Sequence, residues 1–380
     1  MDLLKIRDEI DRIDQQIVDL YEKRMECVKD VATYKIETGK AIFDRQREIE
    51  KIERVQELAS EGYNKFAIKQ LFEQIMTMSR KLQYDLVAGV NHSTEVGFDN
   101  VENIKMPQAR VIFQGAIGAY SHMAMKRYFG EDIEGISVDT FYDAMLAIKE
   151  GKADFAILPI ENSSAGNVNE VFDLIVQFDN YIVAQQIIKI EHYLLGVEGA
   201  NIDDIEIVYA HPQSFMQSAQ FLNEHPSWKC VNLKNNAFAA KKVKEDNNIT
   251  QAAIASSLAG EYYGLNTIRI GINDNANNET RFIVISNKKI CELNANKISI
   301  CFELPNETGS LYKVLTHIIY NKLNMTKIES RPIAGEQWRY RFFVDLEGNL
   351  MDSAIKNALN LLNQEVINFK ILGNYLSNEE

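Results

Sequence analysis

Hydrophobic residues recur with a helical period over the first part of the chain. From residue 3 to residue 35 the sequence contains no Gly or Pro, and its apolar residues lie mostly three or four positions apart. These apolar residues are Leu3, Ile6, Ile10, Ile13, Ile17, Leu20, Met25, Val28 and Val31. The pattern predicts one helix of about 50 Å, followed by helices at 44–58 and 65–86. An all-helical domain is therefore predicted for residues 1–87.

The pattern changes twice after this domain. Residues 88–109 lose the apolar period and gather Gly, Asn and Ser, which is typical of a linker. Over 110–287 short apolar strands alternate with helices, which predicts an α/β domain. Over 296–376 the order is strand, helix, strand, strand, helix, strand, which is typical of a small ferredoxin-like α+β sandwich. The chain is therefore predicted to be multidomain.

Composition excludes several function classes. The formal charge of −13 argues against a broad nucleic-acid or anionic-membrane surface, so an anionic substrate would need a local cluster of cations. The charged N-terminus and the absence of an apolar run of about 18 residues lead us to expect a cytoplasmic protein.

The cysteines and histidines show no metal-binding pattern. The cysteines have no C-x-x-C spacing, and we interpret all of them as reduced thiols in the core. The histidines form neither H-x-x-x-H nor a Cys/His cluster, so no metal site is expected. The cysteines are Cys27, Cys230, Cys291 and Cys301.

Cationic residues are spaced along the first helix so that two of them share a face. Arg24 and Lys35 lie 11 residues apart, about 20° after whole turns and roughly 16 Å along the axis. Arg7 precedes Arg24 by 17 residues, or about 25 Å. Arg7 cannot reach the same ligand within its own helix, whereas its copy on an antiparallel partner chain could.

Polar residues also share faces on the next two helices. Asp44, Arg47 and Glu48 lie at i, i+3 and i+4 of the second helix, and Ser79 and Gln83 lie four apart on the third. Each of them alone is better explained as a solvated surface position or a local ion pair.

The segment IRDEIDRIDQQIVDLYEKRMECVKDVATYKIETGKAIFDRQREIE resembles the all-helical chorismate mutase domain, and the resemblance covers residues 1–85. It implies that cations bind the substrate carboxylates and ether oxygen, that Gln83 shares the ether oxygen, and that the remaining residues contact hydroxyl and carboxylate groups. The cations are Arg7 from the partner chain, Arg24, Lys35 and Arg47, and the remaining residues are Asp44, Glu48 and Ser79. The rearrangement of chorismate is unimolecular and needs positioning and charge stabilisation, with no metal or cofactor.

Six short segments of the second region are rich in turn residues, and each alone could be ordinary turn chemistry. They are GAIGAYSH, PIENSSAGNV, EHYLLG, AHPQSFMQ, AIAS and NETRF. Their set and order resemble the prephenate dehydratase family throughout 110–287. The resemblance implies a two-lobed fold like that of periplasmic binding proteins, with the active site in the cleft between the lobes.

The same resemblance implies roles for individual residues. The Thr280 hydroxyl would assist departure of the ring hydroxyl, while Asn162 and Gln217 position the substrate and support proton donation. No cofactor is needed. The alternative interpretation of Thr280 is that it merely opens the β-rich strand TRFIVIS. The residues implied to line the cleft are His211, Ser163 and Arg281. The sequence departs from the family at Ala210, where many members have Ser before His-Pro-Gln.

The third region resembles the amino-acid-binding ACT domain, through ELPNETGSLYKVL and MTKIESRPI. The resemblance implies phenylalanine binding at a subunit interface, in a homodimer or tetramer. The residues implied are Gly309, Ser310, Leu311, Glu329, Ser330, Arg331 and Pro332. The segment Gly-Ser-Leu-Tyr differs at two positions from the usual Gly-Ala-Leu-Val, and without the resemblance it is as consistent with an ordinary strand-to-helix turn as with a turn that binds a carboxylate.

These resemblances lead to one hypothesis and two rivals. The hypothesis is a bifunctional enzyme that converts chorismate to prephenate and prephenate to phenylpyruvate, inhibited by L-phenylalanine. A mutase fused to prephenate dehydrogenase would need G-x-G-x-x-G after a strand, whereas GAIGAY has only G-x-x-G. The other rival is a mutase fused to a non-catalytic metabolite sensor, and the presence of Thr280 and Asn162 argues against it.

Overall fold

The computed structural model describes residues 2–40, 42, 44–60, 62–88, 97–106, 108–333 and 335–377. The α-helices are α1 Leu3–Thr38, α2 Arg45–Glu57, α3 Gly62–Ala88, α4 Tyr120–Phe129, α5 Phe141–Lys149, α6 Asn169–Gln177, α7 Pro212–Gln217, α8 Ala219–Asn223, α9 Asn236–Asp246, α10 Ser257–Tyr263, α11 Ser310–Tyr320 and α12 Ser353–Glu365. The strands are β1 Asp99–Val101, β2 Val111–Gln114, β3 Gly135–Val138, β4 Phe155–Asn162, β5 Gly166–Asn167, β6 Tyr181–Lys189, β7 Tyr193–Gly196, β8 Ile207–Ala210, β9 Lys229–Asn232, β10 Gln251–Ala255, β11 Asn266–Arg269, β12 Glu279–Ser286, β13 Ile290–Glu292, β14 Lys297–Glu303, β15 Met325–Pro332, β16 Tyr340–Glu347 and β17 Ile367–Tyr375.

The chain forms two compact units. The helical unit takes Met1–Val96, Gly309–Lys322 and Met351–Val366, and the sheet unit takes Gly97–Thr308, Leu323–Leu350 and Ile367–Glu380. Helices α11 and α12 therefore group with the N-terminal helices, while the strands β14 to β17 group with the α/β region. The predicted third domain, 296–376, contributes elements to both units.

The helical unit confirms the three predicted helices of the first region. The carboxylate of Asp2 caps α1 by accepting a hydrogen bond from the Leu4 N–H at 3.1 Å, and Asp44 caps α2 through the Arg47 N–H at 3.1 Å. Helix α3 carries contacts to the two later helices. Lys81 donates to the carbonyl of Tyr320 on α11, and Asp85 accepts from Asn357 on α12 at 3.0 Å.

Two sheets build the α/β region of the sheet unit, with helices packed against them. In one lobe β2 pairs in parallel with β3 and β4, and in the other β8 pairs in parallel with β9 and β10. The second lobe is a five-stranded sheet in the order β11-β7-β10-β8-β9. Buried aliphatic residues cover both faces of each sheet. This two-lobed α/β architecture agrees with the prediction.

The four C-terminal strands extend the first lobe's sheet. Their order is β15-β16-β14-β17, all antiparallel, and β17 then meets β6 through the single pair Gly373 and Ile182. A Cβ at Gly373 would lie 2.0 Å from the carbonyl oxygen of Ile182. Only glycine lets the two backbones approach this closely.

Part of the predicted linker is folded. Residues 89–96 lie outside the described residues, but Asp99–Val101 forms β1 and pairs in parallel with β13. The side chain of Ile104 is fully buried in the sheet unit's core. Residues 97–106 are therefore packed against the sheet unit, because one strand pairing and one buried apolar residue outweigh their loop-like composition.

The expectation that every cysteine is a core thiol was wrong for two of them. All four are free, but only Cys291 and Cys301 are buried. Cys27 lies on an exposed face of α1 and Cys230 on the edge strand β9. Among the helices that the structure describes, none combines the length and apolar character needed to cross a membrane.

Candidate active sites

The helical unit brings Arg24, Ser79 and Gln83 together between α1 and α3. Arg24 Nη1 donates to Ser79 Oγ at 2.5 Å, and Ser79 in turn donates to the Ile75 carbonyl at 2.6 Å. Gln83 is buried, and its Nε2 donates to the Ser79 carbonyl at 3.2 Å. Its Oε1 is buried without a hydrogen-bond partner among the described residues. A buried amide that lacks one hydrogen-bond partner can form the missing hydrogen bond with a bound ligand.

A second charged group gathers where α1 meets the start of α2. Lys35 Nζ donates to the Ile42 carbonyl at 2.6 Å. Burial and the nearby Arg47 lower the pKa of Lys35, while Asp44 and Glu48 act in the opposite direction. The predicted cations and carboxylates of these two helices therefore lie within electrostatic reach of one another.

Arg7 is the one predicted mutase residue that this chain does not bring to the others. Arg7 is exposed, about 25 Å along α1 from Arg24. The same part of α1 exposes an apolar stripe formed by Ile6, Ile10, Ile13 and Ile17, which are 39–56% exposed. In the whole of α1, only Val28 and Ala32 are buried in this chain.

In the sheet unit, strand register places Thr280 beside Asn162. Thr280 on β12 is the antiparallel partner of Asn162 at the end of β4, and Asn162 Nδ2 donates to Thr280 Oγ1 at 2.8 Å. The Asn162 Oδ1 accepts from the backbone N–H groups of Ser164 and Ala165 at 3.0 and 2.8 Å, which fixes the amide's orientation. Thr280 Oγ1 thus accepts from Asn162, and no described residue accepts its hydroxyl hydrogen. That hydrogen is available to a ligand.

Gln217, at the end of α7, is held by a histidine that the sequence interpretation did not assign. Gln217 Oε1 lies 2.9 Å from His192 Nε2, and His192 Nδ1 lies 2.9 Å from the Tyr120 hydroxyl. Burial lowers the pKa of His192, opposed by the Gln217 hydrogen bond, so the ring is favoured in its neutral form. With Nε2 protonated, the ring donates to Gln217 and leaves the amide NH₂ for a ligand.

The turn-rich segments meet in pairs. PIENSSAGNV meets NETRF through Asn162 and Thr280, and EHYLLG meets AHPQSFMQ through His192 and Gln217. GAIGAYSH meets AIAS where Ser256 Oγ donates to the Gly118 carbonyl at 2.6 Å. Gly118 has φ +89°, and a Cβ there would lie 2.7 Å from the Ala259 Cα, so the contact requires glycine.

The remaining predicted cleft residues have mixed placements. The His211 Nδ1 caps α7 by accepting from the Gln213 N–H at 3.2 Å, and burial lowers the pKa of His211. The Ser163 hydroxyl accepts from the Glu279 N–H at 2.9 Å and is therefore already used to fasten β4 to β12. Ala210 is fully buried at the end of β8.

Arg281 does not line the cleft as predicted. Its guanidinium donates to Asp345 on β16 at 2.9 Å and to Glu161 at 3.1 Å, and Lys327 on β15 joins Glu161 at 2.8 Å. Adjacent residues of a strand point to opposite faces, so Arg281 points away from the side occupied by Thr280. It joins the α/β lobe to the C-terminal strands instead.

The predicted regulatory residues are divided between the two units. Gly309 caps α11 in the left-handed conformation, φ +82°, and is followed by Ser310 and Leu311 in the helical unit. Glu329 to Pro332 lie on β15 in the sheet unit. Arg331 forms a two-pronged ion pair with Asp173 on α6, at 2.9 and 2.6 Å.

Sequence interpretation missed several residues that contact the predicted ones. His192 and Tyr120 lie within the turn-rich segments EHYLLG and GAIGAYSH. A single sequence does not distinguish them from the loop residues around them. Asn278 is buried and accepts from Asn162 at 2.8 Å. Arg80, next to Ser79, pairs with Glu48, and no helical spacing links it to α2.

Comparison with known proteins covers both sites. The chain matches the family model described as Prephenate dehydratase over residues 111–290 and the one described as Chorismate mutase type II over residues 6–84. The bifunctional chorismate mutase/prephenate dehydratase of Buchnera aphidicola from Acyrthosiphon pisum is 33% identical, over 99% of this chain and 96% of that protein.

Several solved structures resemble the chain over 70% of its length. One is a prephenate dehydratase from Arthrobacter aurescens in complex with L-Phe, 28% identical with a TM-score of 0.66 over 90% of that chain. Another is described as a novel type of quorum-quenching acylase, 30% identical with a TM-score of 0.65 over 98% of that chain. The near-complete match to the bifunctional relative leads to one assignment. The chain belongs to the family of bifunctional chorismate mutase/prephenate dehydratases.

Proposed function

We propose that this protein converts chorismate to prephenate in its helical unit and prephenate to phenylpyruvate in its sheet unit. The observation that carries the proposal is the Thr280 hydroxyl. It is buried, fixed as an acceptor by Asn162, and has its own hydrogen free to donate. A metabolite sensor would have no need of a donor fixed in this way.

In the dehydratase reaction, Thr280 donates to the ring hydroxyl of prephenate as that group leaves. The bond between the ring and the departing carboxylate breaks, CO₂ is released, and the electron pair enters the ring. The hydroxyl takes up one proton, which comes from solvent through the hydrogen bond with Thr280, and leaves as water, and the ring becomes aromatic. Asn162 holds Thr280, and the NH₂ of Gln217 faces the substrate because His192 occupies its oxygen.

In the mutase reaction, Arg24, Lys35 and Arg47 bind the two carboxylates of chorismate, and Lys35 and Gln83 contact the ether oxygen. Asp44, Glu48 and Ser79 contact hydroxyl and carboxylate groups. The amide of Gln83 supports this role, since its Nε2 carries a second N–H besides the one donated to the Ser79 carbonyl, and that N–H can be donated to an ether oxygen. Catalysis here is positioning in the folded conformer plus stabilisation of charge on the ether oxygen.

The mutase site requires a second copy of the chain. The exposed isoleucine stripe on α1 extends over three helical turns, which favours packing against a helix of a second copy. That helix is taken to be antiparallel because only then does its Arg7 come to lie near Arg24. Such a partner would deliver its own Arg7 to the site built around Arg24. A homodimer is thus the minimum functional assembly, and a tetramer would be a pair of these dimers.

L-phenylalanine is the proposed inhibitor, bound by a C-terminal ACT module. The βαββαβ order of 296–376 and the Glu-Ser-Arg-Pro sequence at 329–332 support this, as does the similarity to a dehydratase described in complex with L-Phe. Binding would act by favouring one arrangement of the assembly over another.

The test is to supply the purified protein with chorismate and no added cofactor, and to follow prephenate and phenylpyruvate over time. We expect both products, with less phenylpyruvate when L-phenylalanine is present. Prephenate accumulating without phenylpyruvate would contradict the dehydratase assignment and favour the sensor. No prephenate at all would contradict the mutase assignment.

A further inference from the structure

Arg80 lies at a junction of three helices in the helical unit. Its Nη1 donates to Glu48 Oε2 on α2, and its Nη2 lies 3.2 Å from Glu365 Oε1 at the end of α12. The Arg80 side chain is only 10% exposed, compared with 21% for Glu48 and 13% for Glu365. One largely desolvated guanidinium thus joins a predicted substrate-binding carboxylate to a carboxylate from the C-terminal part of the chain.

The position of Glu365 is unfavourable by itself. It is the last residue of α12, where the unpaired carbonyls of the helix repel a negative charge. His317 Nε2 lies 2.9 Å from Glu365 Oε2, and Arg80 contacts the other oxygen. Burial raises the pKa of Glu365, but the His317 hydrogen bond and the charges of His317, Arg80 and Lys313 outweigh it and lower the pKa. The carboxylate is therefore held ionised against Arg80.

The contact with Arg80 uses only one of the two carboxylate oxygens of Glu48. Arg80 holds Oε2, while no described residue donates to Oε1 of Glu48. Burial and Arg47 lower the pKa of Lys35, and Glu48 lies near enough to that ammonium for its charge to oppose the lowering. One oxygen is thus anchored and the other remains for a substrate hydroxyl.

We propose that Arg80 is a positioning residue of the mutase site, holding Glu48 for the substrate, and that Glu365 of α12 holds Arg80 in turn. The inference rests on the proposed function, since it assumes that Glu48 contacts chorismate. The C-terminal part of the chain thereby completes the mutase site rather than only regulating it.

The alternative is that Arg80 only fastens α12 to α3. Lys81 provides the matched control, because it also fastens α3 to a later helix, through the Tyr320 carbonyl on α11, but has no contact with Glu48. Loss of fastening alone should therefore affect Lys81→Met and Arg80→Met alike.

The experiment measures mutase kinetics of the full-length protein for Arg80→Met, Arg80→Lys, Glu365→Gln and Lys81→Met, each also in a Glu48→Gln background. We expect Arg80→Met to lower kcat/KM for chorismate about ten-fold, mainly through KM, with partial recovery in Arg80→Lys. Glu365→Gln should lower kcat/KM about three-fold, and Lys81→Met should lower it by less than about two-fold. In the Glu48→Gln background, Arg80→Met should lower kcat/KM little further, because the carboxylate that Arg80 positions is already lost.

The dehydratase rate on supplied prephenate should stay unchanged in all these variants, which shows that the sheet unit is folded, and Lys81→Met controls for packing within the helical unit. The proposal would be overturned if Arg80→Met lowered kcat/KM by the same factor in the Glu48→Gln background as in the wild type. It would also be overturned if Lys81→Met lowered kcat/KM as much as Arg80→Met does. An unchanged kcat/KM in Arg80→Met would overturn it as well. If Arg80→Met fails to fold, Glu365→Gln and Arg80→Lys test the proposal instead, each measured with and without Glu48→Gln. Absence of chorismate turnover by the wild-type protein would instead contradict the proposed function itself.

Discussion

The two candidate active sites place their groups in opposite ways. In the helical unit, charged side chains project from α1, α2 and α3, and Arg7 stays about 25 Å from Arg24 along its own helix. In the sheet unit, neutral groups are held by strand register and hydrogen bonds, as Asn162 holds Thr280 and His192 holds Gln217. If the first site takes Arg7 from a partner chain, as proposed, one chain holds only part of it, whereas the groups of the second site are already held within one chain.

The difference shows where each reaction obtains its precision. The proposed mutase site uses charged side chains and an Arg7 from a partner chain, so we expect it to depend on assembly and on salt. A hydroxyl fixed by its strand neighbour depends on local register and hardly on anything distant. The two activities of one chain should therefore fail under different perturbations.

The largest expected effect is loss of dehydration in Thr280→Ala. Removing the donor aimed at the leaving hydroxyl should lower the dehydratase kcat by about 100-fold or more, while chorismate turnover stays at the wild-type rate. The measurement is phenylpyruvate formation from supplied prephenate. Thr280→Ser, which keeps the hydroxyl, is the matched control and should retain most activity. Wild-type dehydration in Thr280→Ala would remove Thr280 from the mechanism.

The next effect tests whether the mutase site is shared between chains. Arg7→Ala and Arg24→Ala should each lower mutase activity by about 100-fold, because each removes a cation that binds substrate. Refolding or subunit exchange of the two variants together should restore about a quarter of the sites, since one site of each mixed dimer is intact.

The control for this mixing is each variant treated alone, which should stay inactive. Dehydratase activity should be the same in every sample. A mixture as inactive as its components, in which mixed dimers are shown to form, would place Arg7 outside the site of the partner chain.

Sequence alone predicted the helical site better than the sheet site. Helical spacing fixes which residues share a face, so the pairing of Ser79 with Gln83 on α3 follows from the sequence by itself. Pairing between strands that are distant in sequence cannot be predicted from the spacing of residues along the chain. For that reason Arg281 was wrongly expected in the cleft, and His192 was not assigned at all. Arg80 was missed because its partners, Glu48 and Glu365, are distant in sequence.

A smaller effect is expected at His192. Its replacement by Phe keeps a ring but removes both hydrogen bonds, so the Gln217 amide loses its fixed orientation. We expect the dehydratase kcat to fall about ten-fold with mutase activity unchanged. A wild-type kcat in this variant would show that Gln217 is positioned by other contacts.

The same residue gives a pH prediction. Burial places the pKa of His192 below its ordinary value of 6.5 in the folded protein. The unfolded chain therefore binds more protons as the pH falls, so stability is present above the unfolded pKa and is lost as the pH falls through the folded one. The melting temperature of the sheet unit should fall on acidification below about 6.5, and less steeply in His192→Phe. His122 and His211, whose pKa values burial also lowers, should keep part of the slope. An identical slope in both proteins would contradict the assignment to His192.

The smallest expected effect compares the salt dependence of the two sites directly. The proposed mutase site binds chorismate through several cations, and salt screens partly exposed charges of this kind because the Debye length falls from roughly 10 Å at 0.1 M to about 3 Å at 1 M. The groups found at the second site are hydroxyls, amides and a neutral imidazole, which salt screens far less. Raising NaCl from about 0.05 to 0.5 M should therefore raise the mutase KM about three-fold and the dehydratase KM by less than half of that factor. Sucrose at matched osmolality controls for general solvent effects and should change neither KM. A dehydratase KM that rises as steeply as the mutase KM would mean that cations bind prephenate too, and that the contrast between the two sites is one of assembly and not of charge.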